Sequence, residues 1–168
     1  MAISDLTAER LRELLHYNPV TGDFSWLVGR PKASRGAVAG CLPPSGYRTI
    51  RIDGQIYLAH RLAWLYMTGT WPENLIDHKD RNQSDNRWDN LREATHSQNH
   101  QNQHARRDSS SGIKGVYRHK QTSGSWVASL KINGRHLRGC FPSMEEAIAT
   151  RSAWEKEHFT HSPVTDRP

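Results

Sequence analysis

Two dipeptides limit most strongly what this chain can become. Asp53-Gly54 separates the β-prone runs Tyr47 to Ile52 and Gln55 to Ala59, and Asn133-Gly134 separates Trp126 to Ile132 from Arg135 to Phe141. Both pairs tolerate the positive φ angles of a two-residue hairpin, so both predict antiparallel pairing. Each hairpin is followed by a helical pattern. The first runs from about His60 to Met67, with Leu62, Leu65 and Tyr66 on one face, and ends at Gly69 and Pro72. The second opens with the capping box Ser143-Met-Glu-Glu146 and carries Ala147, Ile148 and Trp154. The predicted fold class is α+β, in two small modules. Only 35% of the 168 residues are hydrophobic, which excludes a large enzyme core.

Upstream, Leu6, Leu11, Leu14 and Leu15 follow helical spacing behind a Thr7 N-cap, predicting a helix from about Ala8 to His16 with Leu6 and Leu11 as a hydrophobic staple. Tyr17-Asn-Pro-Val-Thr-Gly-Asp-Phe-Ser-Trp26 reads as a turn at Pro19 and Gly22 followed by a short strand through Phe24 and Trp26, a packing unit rather than a direct DNA contact. Leu27 to Gly46, rich in Gly, Pro and Ser, reads as a loop. In the second half Gly115 to His119 adds a third strand. The expected division is residues 1–105, a linker over 106–112, a second module over 113–160 and a disordered tail over 161–168.

The net charge of +6 and pI of about 9.6 point to an anionic partner. Between Ala94 and Met144 eight Lys and Arg residues face Asp108 alone, a local +7 that leaves the rest of the chain near −1. Cys41 and Cys140 are isolated, so neither a Cys-x-x-Cys zinc staple nor a disulfide framework is expected. With no leader pattern in Met1 to Arg10 and no apolar run of membrane length, the reading is a cytoplasmic, non-secreted protein without a membrane partner.

The densest functional cluster is Ile76-Asp77-His78, then Asp85-Asn-Arg-Trp-Asp-Asn90-Leu91, then Thr95-His96-Ser-Gln-Asn99-His100. Its order is strand, loop, strand, helix. Asp77 and Asn99 offer the oxygen ligands a hard cation prefers, and a neutral His78 is suited to take a proton from water. Asn90, with no useful pKa, would orient the loop or the imidazole. His60, at the start of its helix, offers a structural polar contact or support behind the site. His96, His100 and His104 form an i, i+4, i+8 stripe that could hold zinc but reads better as a solvated or phosphate-facing helix surface.

This segment resembles the HNH endonucleases, in matching positions Asp77, His78, Asn90 and Asn99, the last an Asn where many members have His. Tyr17-x-Pro-x-Thr-Gly-x-Phe-x-Trp26, Gly46-Tyr47-Arg48 and Ala59-His60-Arg61-Leu62-Ala63-Trp64 resemble the phage and prophage branch. The resemblance implies a ββα-metal fold and a divalent cation, Mg²⁺ or alternatively Mn²⁺, held by Asp77 and Asn99, with His78 and Asn90 in catalytic roles. It also implies hydrolysis of DNA to a 5′ phosphate and a 3′ hydroxyl.

Ser111-Gly-Ile-Lys-Gly-Val-Tyr117, Ser125-Trp-Val-Ala-Ser-Leu-Lys131, Leu137-Arg-Gly-Cys-Phe141 and Met144-Glu-Glu-Ala-Ile148 resemble the APETALA and ethylene-response-factor DNA-binding domain, whose three-stranded sheet enters the major groove. Strand alternation independently sets Trp126, Ala128, Leu130 and Ile132 against a helix and Val127, Ser129 and Lys131 on the other face. The contact positions the resemblance implies are Lys114, Tyr117, His119, Ser129, Lys131 and Arg135, with double-stranded DNA as partner. The expected function is therefore a metal-dependent DNA endonuclease associated with phage or mobile elements. The alternative is a non-catalytic DNA-binding regulator on a nuclease-derived scaffold.

Overall fold

The structure, a computed structural model, describes residues 6–31, 33–103, 105, 108–121, 124–132 and 134–161. The architecture is α+β, built from four helices and nine strands among the described residues. The chain divides into two compact units, with the break between His96 and Ser97. No described helix is long and apolar enough to cross a membrane.

In the first unit, helix α1 (Ala8–Leu14) is capped as expected, the Thr7 hydroxyl accepting from Arg10 N at 3.2 Å. It ends two residues earlier than its leucine spacing suggested. Leu15 leaves the helix to open β1 (Leu15–Tyr17), which pairs antiparallel with β2 (Phe24–Trp26). Both strands alternate buried and more exposed residues, so Leu15, Tyr17, Phe24 and Trp26 all point into the core. Burying one such side chain contributes roughly 1.5–3 kcal/mol, more than the end of a short helix can offer, and this decides where α1 stops.

The run from Leu27 to Gly46 is more ordered than its composition suggested. Gly36 N donates to Trp26 O, Ala39 N to Phe24 O, and Cys41 and Thr49 exchange both backbone bonds. Small residues allow this close approach: a Cβ at Gly40 would stand 2.5 Å from Thr49 O. Next, β3 (Thr49–Ile52) and β4 (Gln55–Leu58) form the expected hairpin, with Asp53 and Gly54 at φ of +47° and +86°. Helix α2 (Ala59–Thr68) follows and ends on Gly69 in the left-handed region. Its Ala59, Leu62, Ala63 and Leu65 complete a core shared with Leu11, Leu15, Ile50 and Ile52. The last pair is β5 (Leu75–His78) with β6 (Leu91–Ala94), joined through a loop that ends in a 3-10 turn at Trp88–Asn90.

The second unit takes in α3 (His96–Gln101) from Ser97 onward and contains a three-stranded antiparallel sheet of β7 (Val116–Arg118), β8 (Trp126–Ile132) and β9 (Arg135–Phe141), in the order β7-β8-β9. Gly134 takes the positive φ the second hairpin needs; Asn133 lies outside the described residues. Helix α4 (Met144–His158) starts where the capping box placed it, with the Ser143 hydroxyl accepting from Glu146 N. Ala147, with Met144, Ile148 and Trp154, packs on Val116, Ala128 and Trp126. Val127 departs from the simple two-faced picture. It lies on the face away from α4 yet is fully buried, in the central strand between its cross-strand partners Tyr117 and Cys140. The expected tail from 162 onward lies outside the described residues.

Candidate active site

The register of β5 and β6 assembles the site in the first unit. Asp77 pairs with Arg92 and His78 with Leu91. Asp77 is 5% exposed and His78 4%. Arg92 grips one oxygen of the Asp77 carboxylate, with Nε at 2.9 Å and Nη2 at 2.8 Å from Oδ2. A carboxylate this buried needs such a partner, because an uncompensated charge away from water is costly. Sequence reading missed Arg92; the signal available was its place directly opposite Asp77 once the two strands are paired.

Asn90 holds the loop. Its side-chain oxygen accepts from Asp80 N at 3.1 Å, its amide nitrogen donates to Asp80 Oδ1 at 2.8 Å and Asp85 O at 2.9 Å, and its backbone carbonyl accepts from Lys79 N. One buried amide thus ties both ends of the loop together next to Asp77 and His78. These bonds brace the loop.

The imidazole is oriented by a different residue, Asn86, which sequence reading passed over. Asn86 Oδ1 lies 3.2 Å from His78 Nε2, and the Asn86 amide nitrogen donates to Ser84 O at 3.3 Å. That second bond fixes which end of the amide faces the ring. The ring must then donate from Nε2, and the basic lone pair falls on Nδ1. Burial pushes His78 below the ordinary imidazole pKa, against the opposing pull of Asn86 and the carboxylates of Asp80, Asp77 and Asp85, and so favours the neutral ring.

Two further residues complete the surroundings of His78. His60 stands edge-on to its ring at 5.1 Å between centroids, and Tyr47 lies 5.4 Å from His60 and 6.1 Å from His78. Burial, with smaller effects of His78 and Arg61, depresses His60 to about 3, and its buried Nδ1 has no hydrogen-bond partner among the described residues. His60 is thus a neutral ring behind the site, the supporting position that its place at the start of α2 allowed.

The N-terminal turn supports the same loop. Tyr17 Oη donates to Asn86 O at 2.6 Å, and Trp88 N donates to Pro19 O at 3.0 Å. Gly22, at φ +78°, approaches so closely that a Cβ there would be 2.5 Å from Asn86 C and Arg87 N. The Tyr17 to Trp26 signature is therefore a packing unit, as expected, and what it packs against is the loop that carries Asn86. Asp85 is bound by Arg87, whose side chain holds its pKa down to about 2.

Asn99, the remaining candidate ligand, lies on α3 in the second unit, half-buried. His104 of the histidine stripe lies outside the described residues, and His100 Nδ1 is engaged by Gln103 Oε1 at 2.9 Å. Among the described residues no three His, Cys, Asp or Glu side chains gather as a ligand set.

In the second unit, pairing sorts the candidate DNA contacts by face. Tyr117 (opposite Val127), Ser129 (opposite Arg138) and Lys131 (opposite His136) share the face away from α4. Arg135 pairs with Ile132 at the hairpin end and takes the parity of the other face. Lys114 precedes β7 and its ammonium donates to His100 O, while His119 follows β7. His136 and Arg138, absent from the sequence-based set, join the Tyr117 face, and Ser129 Oγ lies 2.8 Å from His136 Nε2.

No curated protein matches this chain. A solved structure described as DNA binding and cleavage by the HNH homing endonuclease I-HmuI is similar over part of it, at 25% identity and a TM-score of 0.37, covering 49% of this chain and 47% of that one. This chain thus spans less than half the length of that protein in the match. Residues 57–101, which contain β5, the Asn86 and Asn90 loop, β6 and α3, match the family model of the HNH endonucleases.

Proposed function

We propose that this protein is a metal-dependent endonuclease of double-stranded DNA in which His78 is the general base. The observation that carries the reading is the buried His78 imidazole, held by Asn86 through Nε2, next to Asp77 on β5 within the segment that matches the HNH endonuclease model. His78 would accept the proton of a water aligned with a phosphodiester. Asn90 keeps the loop from moving as it does so. The products would be a 5′ phosphate and a 3′ hydroxyl.

The donor chemistry suits a hard cation: an Arg-oriented carboxylate on Asp77 and the amide oxygen of Asn99 are oxygen ligands. We assign those two residues to hold Mg²⁺ or Mn²⁺. When bound, the ion supplies charge neutralisation at the phosphoryl and leaving oxygens. We assign residues 1–105 to the nuclease module, 106–112 to a linker and 113–160 to the recognition sheet, a division drawn from the sequence, whereas the compact units part between His96 and Ser97. Tyr117, Ser129 and Lys131 lie on its DNA-facing side, and Lys114, His119 and Arg135 lie at its margins. Resemblance to the phage and prophage branch supports a mobile-element setting inside the cell.

The non-catalytic alternative has one observation in its favour: the Asp77 carboxylate is already paired with Arg92. Incubating the purified protein with supercoiled DNA and Mg²⁺, Mn²⁺ or EDTA separates the two. Metal-dependent nicking that disappears in His78→Ala supports the nuclease. DNA binding without cleavage under any metal supports the regulator, and EDTA-resistant cutting or full activity of His78→Ala overturns the mechanism.

A further inference from the structure

The largest excess of positive charge lies in the second half of the chain, yet the first unit has an acid-free stretch of its own. From residue 24 to residue 52 there is no Asp or Glu, and five basic residues occur: Arg30, Lys32, Arg35, Arg48 and Arg51. The fold draws two of them together. Arg30 lies over the Trp26 ring, with its guanidinium carbon 3.9 Å from the centroid, and donates through Nη1 to the backbone carbonyl of Arg51 at 2.9 Å. Arg51 is exposed and reaches Gly54 O at 3.5 Å. Among the described residues neither arginine is ion-paired, whereas Arg48 has Asp23 at 4.0 Å and Arg10 has Asp53 at 3.1 Å.

Trp26, Arg30, Arg51, Thr49 and Ile56 line an open groove of about 330 Å³. Ile56 is 60% exposed on the β4 side of it. Two guanidinium groups brought to one groove repel each other, and among the described residues no carboxylate pairs with either. A stacked, hydrogen-bonded Arg30 has already given up much of its rotamer freedom, so less is lost when its planar donors meet oxygen anions. The hairpin runs directly into α2, whose His60 faces His78, so the groove belongs to the same unit as Asp77 and His78.

We propose that this groove is a second DNA-contact surface, taking the phosphodiester backbone of a duplex, with Arg30 and Arg51 on phosphate oxygens and Ile56 against the sugar. It rests on the reading of the protein as acting on DNA but not on its being catalytically active. Charge complementarity selects the partner: an acid-free stretch is suited to a polyanion and unsuited to a mixed-charge protein surface.

The test is equilibrium binding of the full-length protein to a fluorescent duplex across a salt series, with EDTA present so that cleavage does not intervene. For the Arg30→Gln, Arg51→Gln double variant, the slope of log K against log salt should fall by about 2, and affinity at low salt by about ten-fold or more. Arg51→Gln alone, which leaves the Trp26 stack intact, should lower the slope by about 1, and the double Lys variant should restore most of the slope. An unchanged slope and affinity in both Gln variants overturns the proposal, as does a wild-type protein that ignores duplex DNA. A loss confined to single-stranded DNA or RNA overturns the duplex assignment. If the wild type binds with the full slope but cuts under no metal, the nuclease reading fails while the groove stands.

Discussion

Asn86 Oδ1 lies 3.2 Å from His78 Nε2, and this contact decides which nitrogen of the imidazole is basic. The amide cannot easily turn over, because its nitrogen is engaged by Ser84 O. Asn86→Ala should therefore lower the cleavage rate by about ten- to a hundred-fold, the usual cost of losing a group that orients a reactive histidine, while leaving DNA affinity intact. Imidazole ¹⁵N shifts give a readout that a purely structural role would not move. The wild type should show His78 protonated at Nε2 and the variant a mixture of tautomers. A wild-type His78 protonated at Nδ1 alone would refute the assignment.

Tyr17 supports that arrangement from outside the matched segment. Its hydroxyl is buried, burial pushes its pKa up, and it donates to Asn86 O at 2.6 Å. Tyr17→Phe leaves a buried carbonyl unpaired and should cost about 1–3 kcal/mol in urea unfolding, with a smaller drop in cleavage than Asn86→Ala. An unchanged unfolding midpoint would mean that water replaces the hydroxyl without loss.

Gly22→Ala should be the more damaging change of the two. The residue sits at φ +78° with loop backbone 2.5 Å from where a Cβ would go, so strain and collision act together. The loop would have to move away from the turn, carrying Asn86 with it. The expected result is destabilisation by about 1–3 kcal/mol or more together with reduced nicking, read by unfolding and by plasmid relaxation. Wild-type stability with wild-type activity would show that the turn does not brace the loop.

What the sequence made legible was whatever depends on neighbours along the chain. Both hairpins, the Thr7 and Ser143 caps, the Gly69 stop and the Asp77-His78 strand end follow from local chemistry, and each is found near its expected place. The residues that orient the site were not legible in the same way. Arg92 reaches Asp77 only through strand register, and Tyr17 meets Asn86 across 69 residues. Asn86 and Asn90 are both amides in one polar loop, and composition gives no reason to assign the imidazole to one and the loop brace to the other. The backbone ladder over residues 36–41 was hidden for a related reason. It uses small residues, whose pairing is dictated by the strand beside them rather than by their own propensity.

The loop also carries a pH-dependent element. Arg87 holds Asp85 at a pKa of about 2, below its ordinary value of 3.8. The folded state therefore binds this proton less readily than the unfolded chain. The pair's contribution to stability is fully present above about pH 4 and is lost as pH falls toward 2. Asp85→Asn should flatten the wild-type loss of stability between those values, measured as urea midpoints across the range. Because Arg87 is partly exposed, added salt should weaken the effect. Parallel acid profiles for the two proteins would assign the acid sensitivity to other carboxylates.

Pairing in the second unit makes a last distinction that residue type alone could not. Lys131 and Arg135 read alike in sequence, as basic residues flanking a hairpin, but Lys131 shares its face with Tyr117 and Ser129 while Arg135 takes the parity of Ile132. Arg138, opposite Ser129, belongs with Lys131, and together with Tyr117, His119 and Lys120 it lines a groove of about 400 Å³. If this face meets the DNA backbone, Lys131→Ala and Arg138→Ala should each reduce the salt slope of binding by about 1, and Arg135→Ala by distinctly less. The double variant of Lys131 and Arg138 should then lose about 2, since the two sites are separate contacts. A larger slope change in Arg135→Ala than in Arg138→Ala would place the hairpin end, rather than the strand face, against the phosphates.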